Sequence, residues 1–360
     1  MPLPSKRDRE WVRTRLNDWL ARQLPDDASP RISQLDVPEG TGMSSETFLF
    51  DADWSEGGAS RKGRYVARMS PNMDDYPAFP EYDLSLQVNC LRLVGENSDV
   101  PVPEVAWYEP DASVLEYPFY VMHRVDGLVP PDLPPYPIAG WLVDASAEQR
   151  AQLQRKTIEL LASLHRIDVS GGKAAFLDRP RYGATPLEQH LTYQREYYEW
   201  AREGTVYPVL EKTFDWLEAN RPDDARPPVL NWGDSRIGNV MYRDFEPVAV
   251  FDWEMAALGA PEVDLAWMVE MHDFFQRMAE GAGLPGLPGF LERDEVIASY
   301  QELSGRKVEH FEWYYAFAAL RFGIVMIRTS MRAIAYGQME PTETPDERIT
   351  NRILLEPYAS

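Results

Sequence analysis

A chain of 360 residues with 58 acidic and 36 basic side chains carries a formal charge of −22. That balance excludes nucleic-acid binding as the main activity, because displacing counterions needs a cationic footprint. The 44% apolar and 12% aromatic content excludes disorder, and the length suits about two lobes or one large domain. Cys90 is the one cysteine, so neither an intrachain disulfide nor a cysteine zinc site is expected, and a reducing cytoplasm fits. The first residues are charged from Lys6 onward and lack an apolar core, so no secretory signal is expected. The longest apolar stretch, 314–327, is interrupted by Arg321 and is too short for a bilayer; it reads as a buried core helix, and no membrane partner is expected.

In chain order, residues 8–24 space Val12, Leu16, Trp19 and Leu20 as one face of an amphipathic helix. A short strand is expected at 32–37. The small-residue loop 39–46, containing Gly40, Gly42, Ser44 and Ser45, then leads into a strand at 47–50. Gly57-Gly58 and Lys62-Gly63 mark a turn, and 64–69 reads as the return strand. A helix is predicted over 80–94, with Pro80 near its start and Leu84, Val88, Leu91 and Val94 on one face. Apolar segments at 104–108 and 117–124 complete a sheet of about five strands. The run 130–137 holds five prolines and supports neither helix nor central strand. From Ser146 onward the periodicity is helical at 147–166, 186–219, 291–303 and 311–337, broken by short apolar runs within 228–251. The expected architecture is α+β and bilobed: an N-terminal lobe over 1–123 with an antiparallel sheet and helix, and a larger, mainly helical lobe over 124–360.

The chemistry concentrates in Asn231-Trp232-Gly233-Asp234-Ser235-Arg236-Ile237-Gly238-Asn239 and, after a second apolar run, Asp252-Trp253-Glu254. An Asp followed five positions later by Asn, then another Asp at a strand end, is the order that kinase-type phosphoryl transfer requires. Asp234 can accept the proton of an attacking hydroxyl. Asn239 and Asp252 offer hard oxygen ligands to Mg²⁺, and Glu254 is a candidate outer or second-metal carboxylate. Each residue alone is equally a turn or cap residue; the ordered set carries the reading.

These motifs resemble the aminoglycoside phosphotransferase and choline-kinase-like enzymes, which share a protein-kinase-like fold. Residues 232–239 are similar to their HGDxxxxN catalytic loop, and 252–254 to the metal-binding segment that replaces DFG. The resemblance runs from about residue 39 to 267. The stretches Asp99-Val100-Pro101-Val102-Pro103 and Leu164-His165-Arg166-Ile167-Asp168 resemble bacterial aminoglycoside phosphotransferases, and the chain also resembles the kinase-like domain fused to some acyl-CoA dehydrogenases. Two departures stand out. The catalytic-loop His is Trp232, expected to keep the packing while losing a polar contact. The strand-borne phosphate Lys is Arg68, whose planar fork presents different geometry; its helix partner stays open between Glu81 and Gln87. Asp264, within Gly259-Ala260-Pro261-Glu262-Val263-Asp264-Leu265-Ala266-Trp267, reads as a structural anchor.

The resemblance implies an ATP- and Mg²⁺-dependent kinase of a small-molecule hydroxyl. In it Gly40, Gly42, Ser44, Ser45 and Arg68 hold the phosphates, and the backbone at His123 and Val125 holds the base, ATP against GTP staying open. An aminoglycoside acceptor follows from the resemblance, with hydroxyacyl, choline-like or sugar acceptors as alternatives. A nucleotide-binding regulatory module without transfer activity is the competing class, favoured by Trp232 and Arg68. No GxSxG elbow or GxxxxGK[ST] loop is present, and the five histidines show no close metal pair. Glu270 and Asp273 read as a solvated helix edge, with substrate contact as the alternative. Residues 1–127 hold 22 acids against 13 bases, net −9, and the remainder carries −13. The helical lobe is therefore not selectively acidic, so bulk charge permits a cationic acceptor without identifying one. Oligomeric state stays open.

Overall fold

The computed structural model describes residues 7–37, 46–73, 76–223 and 226–359. The expected phosphate loop, with Gly40, Gly42, Ser44 and Ser45, lies outside these residues.

Helix α1 (Arg9–Gln23) begins where the Asp8 carboxylate accepts from the amides of Glu10 and Trp11, two donors that a helix start leaves unpaired. Strands β1 (Arg31–Ile32), β2 (Glu46–Glu56), β3 (Ala59–Met69), β4 (Val105–Glu109) and β5 (Phe119–His123) form an antiparallel sheet in the order β1-β2-β3-β5-β4. The expected strand at 32–37 is shorter, β1 plus an isolated bridge between Asp36 and Leu49. Helix α2 (Leu84–Asn97) starts four residues later than Pro80 suggested. Asp83 is the residue whose side chain can take the free amides, of Ser85 and Leu86, and that fixes the first turn.

The two-residue period of the strands divides the sheet into two packed faces. Tyr65, Ala67, Met69, Phe119 and Val121 meet Val12, Leu16, Trp19 and Leu20 of α1. Val66, Tyr120 and Met122 face the other way, onto α2 and the main core, and the alternation sends Arg68 to that side.

Beyond His123 the chain is mainly helical: α3 (Trp141–Asp144), α4 (Ala147–Leu164), α5 (Pro186–Ala201) and α6 (Pro208–Ala219) precede a short β region, followed by α7 (Glu262–Gly281), α8 (Arg293–Ser304), α9 (Phe311–Ala335) and α10 (Arg352–Leu355). Capping boxes at Ser146/Gln149 and Thr185/Glu188 start α4 and α5. The apolar stretch at 314–327 is the centre of buried α9, as expected. Among the described residues no helix is long and apolar enough to cross a membrane. The β region comprises β6 (Val229–Asn231), β7 (Val240–Arg243), β8 (Glu246–Val250) and β9 (Ala257–Gly259), with β6 paired to β9 and β7 to β8. These two ribbons carry the residues singled out above.

Candidate active site

Strand β6 delivers the 232–239 loop, and β8 delivers Asp252, so two short ribbons bring both carboxylates to one place. The loops are tied directly, since the Phe251 amide donates to the Asn239 carbonyl at 3.2 Å. At Gly233, φ is +89° and an added Cβ would lie 2.0 Å from the Met255 carbonyl oxygen, so only glycine fits the turn before Asp234. Asp252 itself has φ of +61°, a left-handed conformation that Asp tolerates better than most residues.

The Asp234 carboxylate is oriented from three sides. The Trp267 indole donates to Oδ1 at 2.7 Å, the Asn239 side-chain amide donates to Oδ2 at 2.7 Å, and Arg236 Nε lies 3.3 Å from Oδ1. Asn239 Nδ2 also reaches the Asp234 carbonyl at 3.1 Å, which leaves Oδ1 as the atom able to meet a cation. Arg236 in turn places Nη1 2.7 Å from both carboxylate oxygens of Asp132, joining the 232–239 loop to the proline-rich connection. Burial alone would lower its pKa, but Asp132, Asp234 and Asp252 outweigh that and hold it charged.

Asp264 anchors the loop from the first turn of α7. Fully buried, it accepts from the amides of Trp232 at 2.9 Å and Gly233 at 2.8 Å, and shares a hydrogen bond with His165 Nε2 at 3.0 Å. The anchoring expected of it is what it does. Trp232 departs from expectation. Its indole donates to the carbonyls of Phe251 at 2.9 Å and Asp252 at 3.2 Å, so the residue that replaces the family His keeps a polar contact, directed at the segment carrying Asp252.

Arg68 pairs with Asp252, neither with Glu81 nor with Gln87. Glu81 is exposed beside Arg181, and buried Gln87 accepts from the Tyr120 hydroxyl at 3.3 Å. Burial pulls the Arg68 guanidinium down, yet Asp252, Tyr120 and Glu254 more than offset it and raise its pKa above the usual value. His123 ends β5 with its amide donating to the Glu104 carbonyl at 2.9 Å, and Val125 follows in the connection to the helical region.

Among the described residues no three His, Cys, Asp or Glu cluster to cage a metal. Mg²⁺ ordinarily takes only one or two protein oxygens and completes its shell with phosphates and water, so Asn239 Oδ1 and the Asp252 carboxylate fit it. Glu270 is a correction. It is fully buried, accepts from Asn351 Nδ2 at 3.0 Å, and burial pushes its pKa up to about 8. Asp273 is half-buried and accepts from the Tyr315 hydroxyl at 2.6 Å. His165 and His272 are interior residues, the latter bonded to Tyr136 at 2.8 Å, and His190 is half-buried.

Arg236, Asp132 and Trp267 join the site unexpectedly. A cation two positions after Asp234 was the local signal for Arg236; Asp132 and Trp267 lie 104 and 33 positions from their partners Arg236 and Asp234.

A plant relative, "Probable acyl-CoA dehydrogenase IBR3" of Arabidopsis thaliana, is 30% identical over 80% of this chain and 35% of its own length. The chain spans about a third of the length of the curated relatives it matches. A solved protein of Ralstonia eutropha JMP134, named after the aminoglycoside phosphotransferases, superposes with a TM-score of 0.62 over 96% of this chain and 97% of that one at 22% identity. Aminoglycoside phosphotransferase APH(4)-Ia, solved as a ternary complex with ADP and hygromycin B, gives 0.54 over 96% and 97% at 15% identity. These likenesses carry the protein-kinase-like fold. With the phosphotransferase enzyme family matching residues 42–295 and the Asp234, Asn239 and Asp252 arrangement inside that span, the chain belongs to that family.

Proposed function

We propose that this chain is an ATP- and Mg²⁺-dependent kinase that transfers the γ-phosphate to a hydroxyl of a small molecule. The observation that carries it is the Asp234 carboxylate, fixed by Trp267 and Asn239 on a loop bonded to the segment holding Asp252. Asp234 orients the acceptor hydroxyl and takes its proton. Asn239 and Asp252 hold Mg²⁺, which when bound offsets phosphate charge; Arg68 and the 40–45 loop hold the phosphates; the backbone at His123 and Val125 holds the base. The nucleotide-holding lobe spans 1–123 and the acceptor-holding lobe 124–360. Because the transferring group passes through a loose transition state, positioning and charge neutralisation supply most of the acceleration.

An aminoglycoside acceptor is supported by the relatives that bind one. Hydroxyacyl, choline-like and sugar alcohols are the other forms of the same reading. A cytoplasmic setting agrees with the lone cysteine, which is buried with its thiol pKa raised by that burial. Against a regulatory module without transfer stands the retention of Asp234, Asn239 and Asp252 together. Transfer of labelled γ-phosphate from Mg-ATP to an acceptor tests the proposal; nucleotide binding without transfer to any alcohol would favour the regulatory module.

A further inference from the structure

Beside the catalytic loop lies a cavity of about 60 Å³ between α5, α9, the 254–258 segment and the residues leading into α2. A water needs only about 10–15 Å³ of such space, so a carboxylate-sized group has room. Its inner wall is Arg321 of α9, only 3% exposed. Nη2 donates to the Gly233 carbonyl at 2.9 Å and the guanidinium lies 4.5 Å from the Trp267 ring centroid. Nε and Nη1 are buried and make no hydrogen bond to the described residues, and none of those residues' carboxylates pairs with Arg321. An unpaired buried guanidinium is costly, and an anion removes that cost.

The rest of the lining is mixed, with the guanidiniums of Arg179 and Arg321 set against the carboxylates of Glu81, Asp83 and Glu254. Arg179, half-buried, stands over the Tyr193 ring at 5.4 Å without an ion pair among the described residues. His190 Nε2 is also buried without a hydrogen-bond partner among the described residues. Of the lining carboxylates, Glu81 pairs with Arg181 and Asp83 accepts from the first amides of α2. Glu254 lies close enough to Arg68 to help hold it charged. Burial lowers the Arg321 pKa to about 10, with Asp264 and Asp234 only partly restoring it, which leaves its charge short of compensation.

We infer that this cavity receives an anionic oxygen group, a carboxylate or phosphate, carried by the alcohol that is phosphorylated, with Arg321 at its base and Arg179 on its wall. The inference rests on the kinase reading. Arg321 touches the residue immediately before Asp234, so anion and hydroxyl belong to one small acceptor. The acceptor oxygen forms a bond to the γ-phosphorus while the bond from that phosphorus to the β,γ-bridging oxygen breaks. The electron pair leaves on ADP and the hydroxyl proton goes to Asp234. The acceptor's anion passes through unchanged.

The test uses the full chain with Mg-ATP labelled at the γ-phosphate. It is offered short hydroxycarboxylates, glycerol phosphate, the uncharged amides of the same hydroxycarboxylates, choline and aminoglycosides. The expected result is an advantage in kcat/KM of about 10- to 100-fold or more for an anionic alcohol over its amide. Carboxylate against phosphate preference identifies which oxyanion it is. Arg179→Gln, at a half-exposed position, should collapse that advantage through KM with Mg-ATP affinity unchanged, and Arg321→Gln should do so more severely. Equal use of amide and carboxylate, preference for aminoglycosides, or an advantage that survives Arg179→Gln overturns the inference. Where no alcohol turns over, thermal shifts with the same compounds in Mg-ADP decide it, and absence of stabilisation by every anion overturns it. Mg-ATP affinity in the same preparation separates the two readings: lost nucleotide binding defeats the kinase proposal, whereas retained binding without anion preference defeats only this one.

Discussion

Buried Arg68 on β3 and partly buried Asp252 after β8 form an ion pair across the junction of the sheet and the helical region. The pair unites the residue expected to hold phosphate with the one expected to hold metal. Asp252→Ala should therefore remove the Mg²⁺-dependent part of ATP affinity and also leave Arg68 without this partner, lowering stability by about 3–5 kcal/mol. Nucleotide titration with and without Mg²⁺, beside urea denaturation, reads both. Metal-dependent affinity that survives the substitution contradicts the assignment.

Asp234→Asn preserves shape while removing the proton acceptor. Turnover should fall by about 10²- to 10⁴-fold with ATP affinity nearly unchanged. Unaltered turnover on a verified acceptor would sink Asp234 as the base.

Trp267→Phe deletes the indole donor to Asp234 Oδ1 but keeps an aromatic ring under Arg321. A hydrogen bond to a charged group contributes about 1.5–3 kcal/mol, so kcat should drop by about 10- to 100-fold at similar KM for ATP. A change confined to stability would make Trp267 a packing residue only.

Asp264→Asn replaces one accepting oxygen by a donor where the amides of Trp232 and Gly233 and the ring of His165 converge. The expected loss is about 2–4 kcal/mol, measured by urea unfolding, together with turnover, because the catalytic loop loses its anchor.

Glu270 sets a pH dependence of stability. Its folded pKa is about 8 against an ordinary 4.5, so between those values the unfolded chain has released a proton that the folded chain keeps. Stability from this group is therefore lost as pH rises through that window, by at most about 1.4 kcal/mol per pH unit. Below about 6.5, His190 and His272, lowered by burial to about 3 and 4, act with the opposite sign. The window of interest is pH 6.5 to 8. Glu270→Gln should flatten the profile there and stabilise the protein at its upper end; an unchanged slope rejects the assignment.

The elements were legible where local periodicity decides them. α1 and α9 present the faces their spacing implies, and Asp234, Asn239 and Asp252 fall within one short segment. Pro80 misled because a proline is compatible with several positions near a helix start, whereas the free amides accept a partner only from Asp83. Glu270 looked solvated because α7 has polar residues on more than one side; Asn351, 81 residues onward, supplies the cover. Arg236 with Asp132 and Arg321 with Gly233 join points 104 and 88 residues apart, which no window of local sequence encodes. Arg321 nevertheless announced itself as a charge inside an apolar run.

Three of the 11 tryptophans stand where the chemistry is expected: Trp232 on the Asp252 backbone, Trp253 beside it at 6.0 Å between rings, and Trp267 on Asp234. Their emission depends on the fields and hydrogen bonds around those two carboxylates. The protein thus contains its own optical probe: occupancy of the cleft can be followed by intrinsic fluorescence, without a label and before any acceptor has been identified.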